Sequence, residues 1–166
     1  MTTARFLGTV LLALTLGACG FHLRGSYAIP PELHNLKLDL GSNSSLSRPL
    51  RDALQTAGVT LGQGDYRLII THEKLTKQST TTDSRAKAAE YTLQYEVNYR
   101  LSREQETAPL PERKLSLRRS YQYDTTAIVG KSEEEETLIR ELYLDAAQQI
   151  LRQISFFKPD APPPAP

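Results

Sequence analysis

The sequence predicts an α+β fold in which two helices pack on one face of a four-stranded mixed sheet, with the elements in the order β-α-β-β-β-α. Apolar and polar residues alternate without a break from Glu90 to Leu101, which is typical of a strand with one buried face. Two other stretches, 46–57 and 138–154, place apolar residues at helical spacing. Because both helices are expected on the same face, we expect the other face of the sheet to stay polar.

The first strand and the first helix are joined by a turn of small residues. Leu36, Leu38 and Leu40 alternate with polar residues, which indicates a half-buried strand. Residues 41–45, Gly-Ser-Asn-Ser-Ser, form a turn that we expect to supply a capping serine to the helix. The helix is expected to stop at Gly58.

Three strands follow the first helix. The run 66–76 begins a second strand, and because a helix separates it from the first, the two are expected to be parallel. The third strand is the alternating segment 90–101. After a proline-containing turn, residues 115–123 form a fourth strand, antiparallel to the third, in which Arg119 interrupts the apolar row.

The last helix begins with an acidic segment. Ser132 and Glu135 have the spacing of a capping box, and the run 133–136 lies where the helix dipole favours negative charge. The apolar residues after it recur at helical spacing: Leu138, Ile139, Leu142, Tyr143, Ala146, Ala147, Ile150, Leu151 and Ile154.

The amino-terminal residues have the pattern of a lipoprotein signal peptide. Arg5 precedes the apolar run 6–16, which is of signal-peptide length and too short to span a membrane. The run ends in Leu-Gly-Ala-Cys, which resembles the bacterial lipobox, so Cys19 is expected to carry the lipid anchor. The alternative for Cys19 is an unpaired buried thiol. Gly20, where retention in the inner membrane usually needs Asp, favours the outer membrane.

Composition excludes several classes of function. Arg5 is the only charged side chain of the leader. Removing it from the 20 Lys and Arg of the whole chain leaves as many basic residues as the 19 acidic ones, so the mature chain has no net charge. That balance gives no electrostatic case for nucleic-acid binding. A single cysteine excludes an intrachain disulfide and a CxxC site.

No constellation for catalysis or cofactor binding is found. His22, His34 and His72 lie in three different segments without the spacing of metal ligands. The acidic run 133–136 is explained more simply as a solvated helix start than as an acid/base pair. The sequence has no phosphate-binding loop or nucleophile elbow. We therefore expect a binding or assembly protein with no metal, no cofactor and no enzymatic activity.

The segment 74–89 is rich in cations and hydroxyls, and we refer to it as the basic arm. Lys74, Lys77, Arg85 and Lys87 recur among Ser and Thr residues, which suits an extended hairpin that contacts phosphate or sugar. An ordinary exposed hairpin tip is the simpler explanation of the arm alone, and Lys131 is equally well explained as a surface charge.

Three segments carry a resemblance to a known family. They are Cys19-Gly20-Phe21-His22-Leu23-Arg24-Gly25 after the lipobox, Ala89-Glu90-Tyr91 in the third strand, and Leu142-Tyr143 followed by Ala146-Ala147-Gln148-Gln149-Ile150 in the last helix. Together they resemble the LptE family of lipopolysaccharide-assembly lipoproteins. The resemblance covers roughly residues 19–157. It implies an outer-membrane lipoprotein, facing the periplasm, that fills the lumen of the LptD β-barrel, supports its assembly and helps deliver lipopolysaccharide to the outer leaflet.

The resemblance also implies lipopolysaccharide-binding residues. Family positions linked to this binding align with Arg85 and Lys131, and Lys87 of the basic arm is a third candidate. The resemblance gives the polar sheet face a partner as well, because a face bearing Gln94, Asn98 and Arg100 suits the wet interior of an outer-membrane barrel.

The sequence divides into four parts. Residues 1–18 are the expected signal peptide, 19–31 the lipid anchor and a non-helical spacer, 32–157 the α+β domain, and 158–166 a disordered proline-rich tail. Two other functions stay open at this point. A lipid-carrier or transporter-auxiliary lipoprotein would need an enclosed apolar pocket, and a periplasmic hydrolase would need a catalytic constellation.

Overall fold

The computed structural model describes the chain from Ala28 to Lys158 with three internal gaps. Within that part, no helix is long and apolar enough to cross a membrane. The described ranges are 28–82, 88–103, 110–122 and 128–158, and side chains are described in them except at 80–82, 88–89 and 128–131.

Two α-helices and five strands make up the described part of the chain. A single 3₁₀ turn, Pro31–Leu33, comes before them. Pro31 therefore begins a helical turn and does not belong to a non-helical spacer. Ile29, within the predicted spacer, is buried in the core. The strands are β1 Asn35–Asp39, β2 Thr60–Leu61, β3 Tyr66–Thr82, β4 Ala88–Arg103 and β5 Arg113–Gln122, and the helices are α1 Ser47–Thr56 and α2 Ile128–Ser155.

The strands form one mixed sheet in the order β2-β1-β3-β4-β5. β1 is parallel to β2 and β3, whereas β3, β4 and β5 are successively antiparallel. The predicted α+β class, the parallel first pair and the antiparallel last pair are therefore confirmed. The sheet has one more strand than predicted, because β2 is only two residues long and leaves no alternating pattern in the sequence.

One hydrophobic core fills the space between the sheet and the two helices. α1 contributes Leu50 and Leu54, and both are fully buried. The side chains of β4 that face the helices line the sheet side of this core: Leu93, Tyr95, Val97, Tyr99 and Leu101. α2 covers them with its buried residues: Leu142, Ala146, Ala147, Ile150, Leu151 and Ile154.

A β-bulge in β3 exchanges the two faces of that strand. Before the bulge Leu68 pairs with the inward Leu101, and after it Leu75 pairs with the inward Tyr95, with the register shifting between Ile70 and His72. An extra residue in a strand turns every later side chain to the opposite face. Even-numbered residues of β3 therefore face the helices before the bulge, and odd-numbered residues after it.

Arg119 faces the helices, as its interruption of the apolar row of β5 predicts. It pairs with Leu93 across the sheet, and its guanidinium donates a hydrogen bond to the carboxylate of Asp145 on α2. Both side chains keep part of their surface in solvent, 36% and 45% respectively. An arginine at the rim of the core thus reaches water and an anionic partner, so its charge is not buried alone.

The predicted N-terminal caps are wrong at both helices. α2 begins at Ile128, so Ser132 lies inside the helix and cannot form the capping box with Glu135. At α1 the N-cap is Leu46, with no side-chain cap from the serine turn. Instead the backbone N–H of Leu46 donates to Oε1 of Glu73 on β3, at 3.3 Å. A tertiary contact thus pairs the N–H of the N-cap residue, a donor that a local Glu or Gln accepts from in a capping box.

Candidate functional site

The sheet face turned away from the helices is polar, as predicted, and we refer to it as the outer polar face. Its residues alternate with the core residues along β3 after the bulge, β4 and β5. They are His72, Lys74, Thr76 and Gln78; Glu90, Thr92, Gln94, Glu96, Asn98 and Arg100; and Lys114, Ser116, Arg118, Ser120 and Gln122. The members on β4 are half-buried and nearly all members on β3 and β5 are exposed.

Hydrogen bonds connect neighbouring side chains on this face. The hydroxyls of Thr92 and Ser120, which are direct cross-strand partners, lie 2.8 Å apart. On β4, Nε2 of Gln94 donates to Oε1 of Glu96 at 2.8 Å. Such cross-strand and same-face pairs fix side chains in place. The face therefore presents an ordered array of amides, hydroxyls and charges.

Charges on the outer polar face have both signs, with more cations than carboxylates. Lys74 lies opposite Glu96, whereas Lys114 and Arg118 extend into solvent along β5. The Nε of Arg100 is buried and has no hydrogen-bond partner in the described part of the chain. This surface suits a wet, polar partner with some negative charge and is unsuited to the hydrocarbon of a membrane.

A charged cluster on the inner face joins the far end of β3 to α2. The Nζ of Lys77 lies 2.6 Å from Oε2 of Glu135 and 4.4 Å from the centroid of the Tyr91 ring. The hydroxyl of Tyr121 donates to the same carboxylate oxygen at 2.5 Å, and its ring stacks on Tyr91 with centroids 5.7 Å apart. We refer to these four residues as the lysine clamp.

The lysine clamp shifts the pKa of its ionisable groups in the directions expected of an ion pair. Partial burial is the largest single influence and opposes the charged forms, but the hydrogen bonds and charges of the other clamp residues together outweigh it. The pKa of Lys77 is therefore raised and that of Glu135 is lowered, so the pair stays charged at neutral pH. Burial and the hydrogen bond to Glu135 raise the pKa of Tyr121.

Sequence reasoning did not find the lysine clamp. Lys77 was expected among the phosphate-contacting cations of the basic arm, and Glu135 was expected to cap α2. The pattern hides the clamp because Lys77 would face outward if β3 kept one register from Tyr66, and only the bulge turns it inward. A signal exists in the change from even-numbered apolar residues at Leu68 to the odd-numbered Leu75.

The residues expected to bind lipid or lipopolysaccharide lie largely outside the described residues. Cys19, Arg85 and Lys87 are not among them, and of Lys131 only the backbone, within α2, is described. The flanking elements are described: β3 and β4 are still paired at Thr82, and α2 already includes Lys131. The basic arm is therefore paired strand as far as Thr82, with register shifts between Ser79 and Thr82.

The contact between Lys77 and Glu135 brings the β3–β4 hairpin close to the start of α2. Lys131 precedes Glu135 by four residues, about 6 Å along the helix axis. Lys77 precedes Thr82 by five residues, roughly 16 Å along the strand. Since Lys77 and Glu135 are in contact, the end of the β3–β4 hairpin and the first turns of α2 lie on the same side of the molecule.

Comparison with known proteins identifies the family. The family model "LptE: Lipopolysaccharide-assembly" matches residues 33–154, from the 3₁₀ turn to the last turn of α2. The chain belongs to the LptE family. The resemblance seen in the sequence is thereby confirmed, and the family is one of assembly lipoproteins, not one defined by a catalytic activity.

Members of the LptE family match along most of the chain. The LPS-assembly lipoprotein LptE of Pectobacterium atrosepticum is 29% identical over 154 residues, covering 87% of this chain and 80% of the relative. That of Photorhabdus laumondii is 30% identical over 152 residues, covering 87% and 81%. The matched lengths show that the similarity extends over most of this chain and most of each relative.

Solved structures agree with the LptE-family fold. A minor lipoprotein from Acinetobacter baumannii superposes with a TM-score of 0.64 at 28% identity, covering 76% of this chain and 93% of that one. Lipoprotein B from Nitrosomonas europaea, solved by NMR, has a TM-score of 0.65 at 26% identity, covering 82% and 90%. The two-helix, mixed-sheet domain is thus shared with other bacterial lipoproteins.

Proposed function

We propose that this chain is the outer-membrane lipoprotein that plugs the LptD β-barrel and supports its assembly in the lipopolysaccharide translocon. The observation that carries the proposal is the outer polar face, together with membership in a lipopolysaccharide-assembly family. Anchored through Cys19, the domain faces the periplasm and lies inside the barrel lumen.

The chemistry of the outer polar face supports a barrel lumen as the partner surface. Large outer-membrane barrels have an apolar exterior and a polar interior that contains water or a plug. The half-buried amides of Gln94 and Asn98 and the exposed cations of β5 can exchange hydrogen bonds with such an interior. A face of this kind gains little from contact with acyl chains, where each unpaired polar group is costly.

The first experiment is affinity purification of the tagged mature protein from its own outer membrane, with identification of what elutes at a near one-to-one ratio. We expect a large β-barrel. A protein that elutes alone, or with a transporter subunit, contradicts the proposal and favours the transporter-auxiliary alternative.

Photo-crosslinking tests which surface touches the barrel. A photoreactive residue at Gln94 probes the centre of the outer polar face, and one at Gln148, exposed on α2, is the matched control on the opposite side. Crosslinks from Gln94 support the docking surface proposed here. Crosslinks from Gln148 alone would assign the contact to the helices and refute it.

We also propose that Arg85, Lys131 and Lys87 bind the phosphates of lipopolysaccharide. An arginine donates two parallel hydrogen bonds to a phosphate, whereas a lysine acts as a point charge. Arg85→Asp is therefore expected to lower lipopolysaccharide affinity more than Lys131→Ala does. Arg51→Asp, at an exposed site on α1, controls for the change in net charge. Unchanged affinity in both test variants would rule out these contacts.

A further inference from the structure

The first and the last residues that the structure describes lie at the same end of the sheet. Where the chain enters, the carbonyl oxygen of Ile29 is 3.0 Å from Nε2 of His34, the residue before β1. Where it leaves, the ring of Phe157 packs edge-to-face on Tyr66, the first residue of β3, with centroids 5.3 Å apart. Leu36 of β1 pairs with Tyr66, so both points belong to one end of the domain, which we refer to as the terminal end.

An aromatic ring extends into solvent at the terminal end. Phe156 is 75% exposed, although its neighbour Phe157 packs against the domain. Hydrogen bonds order the backbone around it. The N–H of Phe157 donates to the carbonyl of Ile154 at 3.0 Å, and the hydroxyl of Ser155 donates to the carbonyl of Arg152 at 2.8 Å. The folded backbone therefore holds in water a ring that adds little to the core.

Long cationic side chains surround this ring. Arg152 precedes Phe156 by four residues, about one helical turn, and Lys158 follows it by two, and both cations are exposed. Arg103, at the end of β4, has its guanidinium carbon 5.7 Å from the centroid of the Tyr66 ring. An exposed ring among Lys and Arg suits the headgroup region of a bilayer, where the ring meets acyl chains and the cations meet phosphates.

The expected lipid anchor is attached close to the terminal end. Cys19 precedes Ala28 by nine residues, which span at most about 32 Å when fully extended. The start of α2, by contrast, lies about 42 Å from its end at Ser155. The terminal end is thus the part of the domain nearest to the anchor. Asp65 is an exposed carboxylate there, so net charge alone does not explain a membrane contact and the ring of Phe156 has to contribute.

We propose that the terminal end docks on a phospholipid bilayer, with the ring of Phe156 inserted below the headgroups and Arg152 and Lys158 at the lipid phosphates. The inference rests on the lipid anchor that is part of the proposed function, and it does not depend on the barrel or on lipopolysaccharide. A ring held by folded backbone fixes one orientation of the domain on the bilayer. A lipid attached nine residues away from the domain does not.

The test is tryptophan fluorescence of the lipidated chain in vesicles of phosphatidylethanolamine and phosphatidylglycerol. The chain has no tryptophan, so Phe156→Trp introduces a single fluorophore at the proposed contact. Half of the samples contain lipids brominated on the acyl chains just below the headgroups, which quench a tryptophan that touches them. We expect emission at shorter wavelength than in the lipid-free chain unfolded in urea, and a loss of intensity in the brominated vesicles.

Leu144→Trp is the matched control. Leu144 is also a large apolar residue on α2, 55% exposed, but it lies twelve residues before Phe156, about 18 Å towards the other end of the helix. Both sites are exposed, so both variants should fold normally. The tryptophan of Leu144→Trp should not be quenched. Arg152→Gln and Lys158→Gln, each combined with Phe156→Trp, should each lower the equilibrium constant for insertion of the ring about fivefold.

Flotation of the vesicles separates failure of the anchor from failure of the docking. A chain that floats with the vesicles carries a working anchor, whatever its fluorescence. Comparing flotation and quenching in the same sample therefore shows which of the two proposals fails.

Each outcome decides the proposal. Quenching in Phe156→Trp but not in Leu144→Trp supports docking through the terminal end. A chain that floats without quenching in Phe156→Trp overturns the docking and leaves the anchor standing. Short-wavelength emission without quenching overturns it too, because the ring is then covered by protein. Equal quenching at both sites assigns the contact to no particular surface and also overturns it. A chain that does not float contradicts the anchor and the docking together.

Discussion

Replacing Lys77 by methionine removes the ammonium of the lysine clamp and keeps most of the side-chain stem that packs on Tyr91. The wild-type ammonium makes two contacts, an ion pair with Glu135 at 2.6 Å and a position 4.4 Å from the centroid of the Tyr91 ring. Both contacts link β3 to other elements, since Glu135 lies on α2 and Tyr91 on β4. We therefore expect Lys77→Met to lower the free energy of unfolding of the whole domain.

The magnitude follows from the exposure of the pair. The side chains of Lys77 and Glu135 are 39% and 25% exposed, so water screens their attraction and the ion pair contributes about 0.5–1 kcal/mol. The contact with the ring adds about 0.5–1 kcal/mol. Lys77→Met should therefore cost about 1–2 kcal/mol, of which about 0.5–1 kcal/mol should appear as coupling to Glu135.

The assay is urea unfolding of four proteins: wild type, Lys77→Met, Glu135→Gln and the double variant. The double-mutant cycle isolates the coupling between the two side chains. Repeating it near 1 M salt should reduce the coupling, because the Debye length falls to about 3 Å. Lys74→Met, on the opposite face of the same strand, is the control and should stay within about 0.5 kcal/mol of wild type.

A coupling below about 0.3 kcal/mol, or one that salt does not change, would refute this account of the clamp. A loss as large in Lys74→Met as in Lys77→Met would refute it too, since that result would assign the effect to loss of charge from the hairpin and not to contacts on the inner face.

Three further predictions concern single residues. Gly64 has φ +118°, and a Cβ there would lie 2.0 Å from a backbone oxygen of β1. Gly64→Ala should therefore lower the free energy of unfolding in urea by at least about 3 kcal/mol. Gly62 also has a positive φ, but a Cβ there would meet no atom within 4 Å, so Gly62→Ala should cost only about 1–2 kcal/mol. Tyr99→Phe removes a hydroxyl that donates to Oε1 of Gln153 on α2 and should cost about 1 kcal/mol in urea unfolding; an unchanged stability would contradict this contact. Since its partners hold the pKa of Glu135 below the ordinary 4.5, the stabilisation is complete above that pH and is lost as pH falls through the folded-state pKa; unfolding from about pH 6 to about pH 3 should show this loss in the wild type and a smaller one in Glu135→Gln.

The regular elements could be predicted from the sequence because each has a clear period. The alternation along β4 and the helical spacing of α1 and α2 determine which side chains are buried, and the structure places those rows in the core. The polar sheet face followed from the same reasoning, because both helices cover the other side. Two-residue β2 could not be predicted, since two residues cannot show a period.

The sites proved harder to predict because they depend on tertiary contacts. The cap of α1 comes from Glu73, which is 27 residues away in sequence, and no local pattern indicates it. The lysine clamp depends on the β3 bulge at Thr71. A bulge of one residue has no strong sequence signature here, yet it decides whether Lys77 lies on the outer polar face or faces α2.

The bulge also limits how the basic arm can bind an anion. With one register throughout, Lys74 and Lys77 would lie on opposite faces with Lys77 turned outward, whereas the observed register places Lys74 on the outer polar face and Lys77 against α2. Lys77 is bound to Glu135, so it is not a free cation for a phosphate, whereas Lys74 lies on the other face of the strand, across from Glu96. If the arm binds lipopolysaccharide through the proposed residues, the positive charge comes from Arg85 and Lys87. Loss of binding in Arg85→Asp but not in Lys74→Met would therefore distinguish phosphate recognition at the hairpin end from a general attraction of anions to a basic strand.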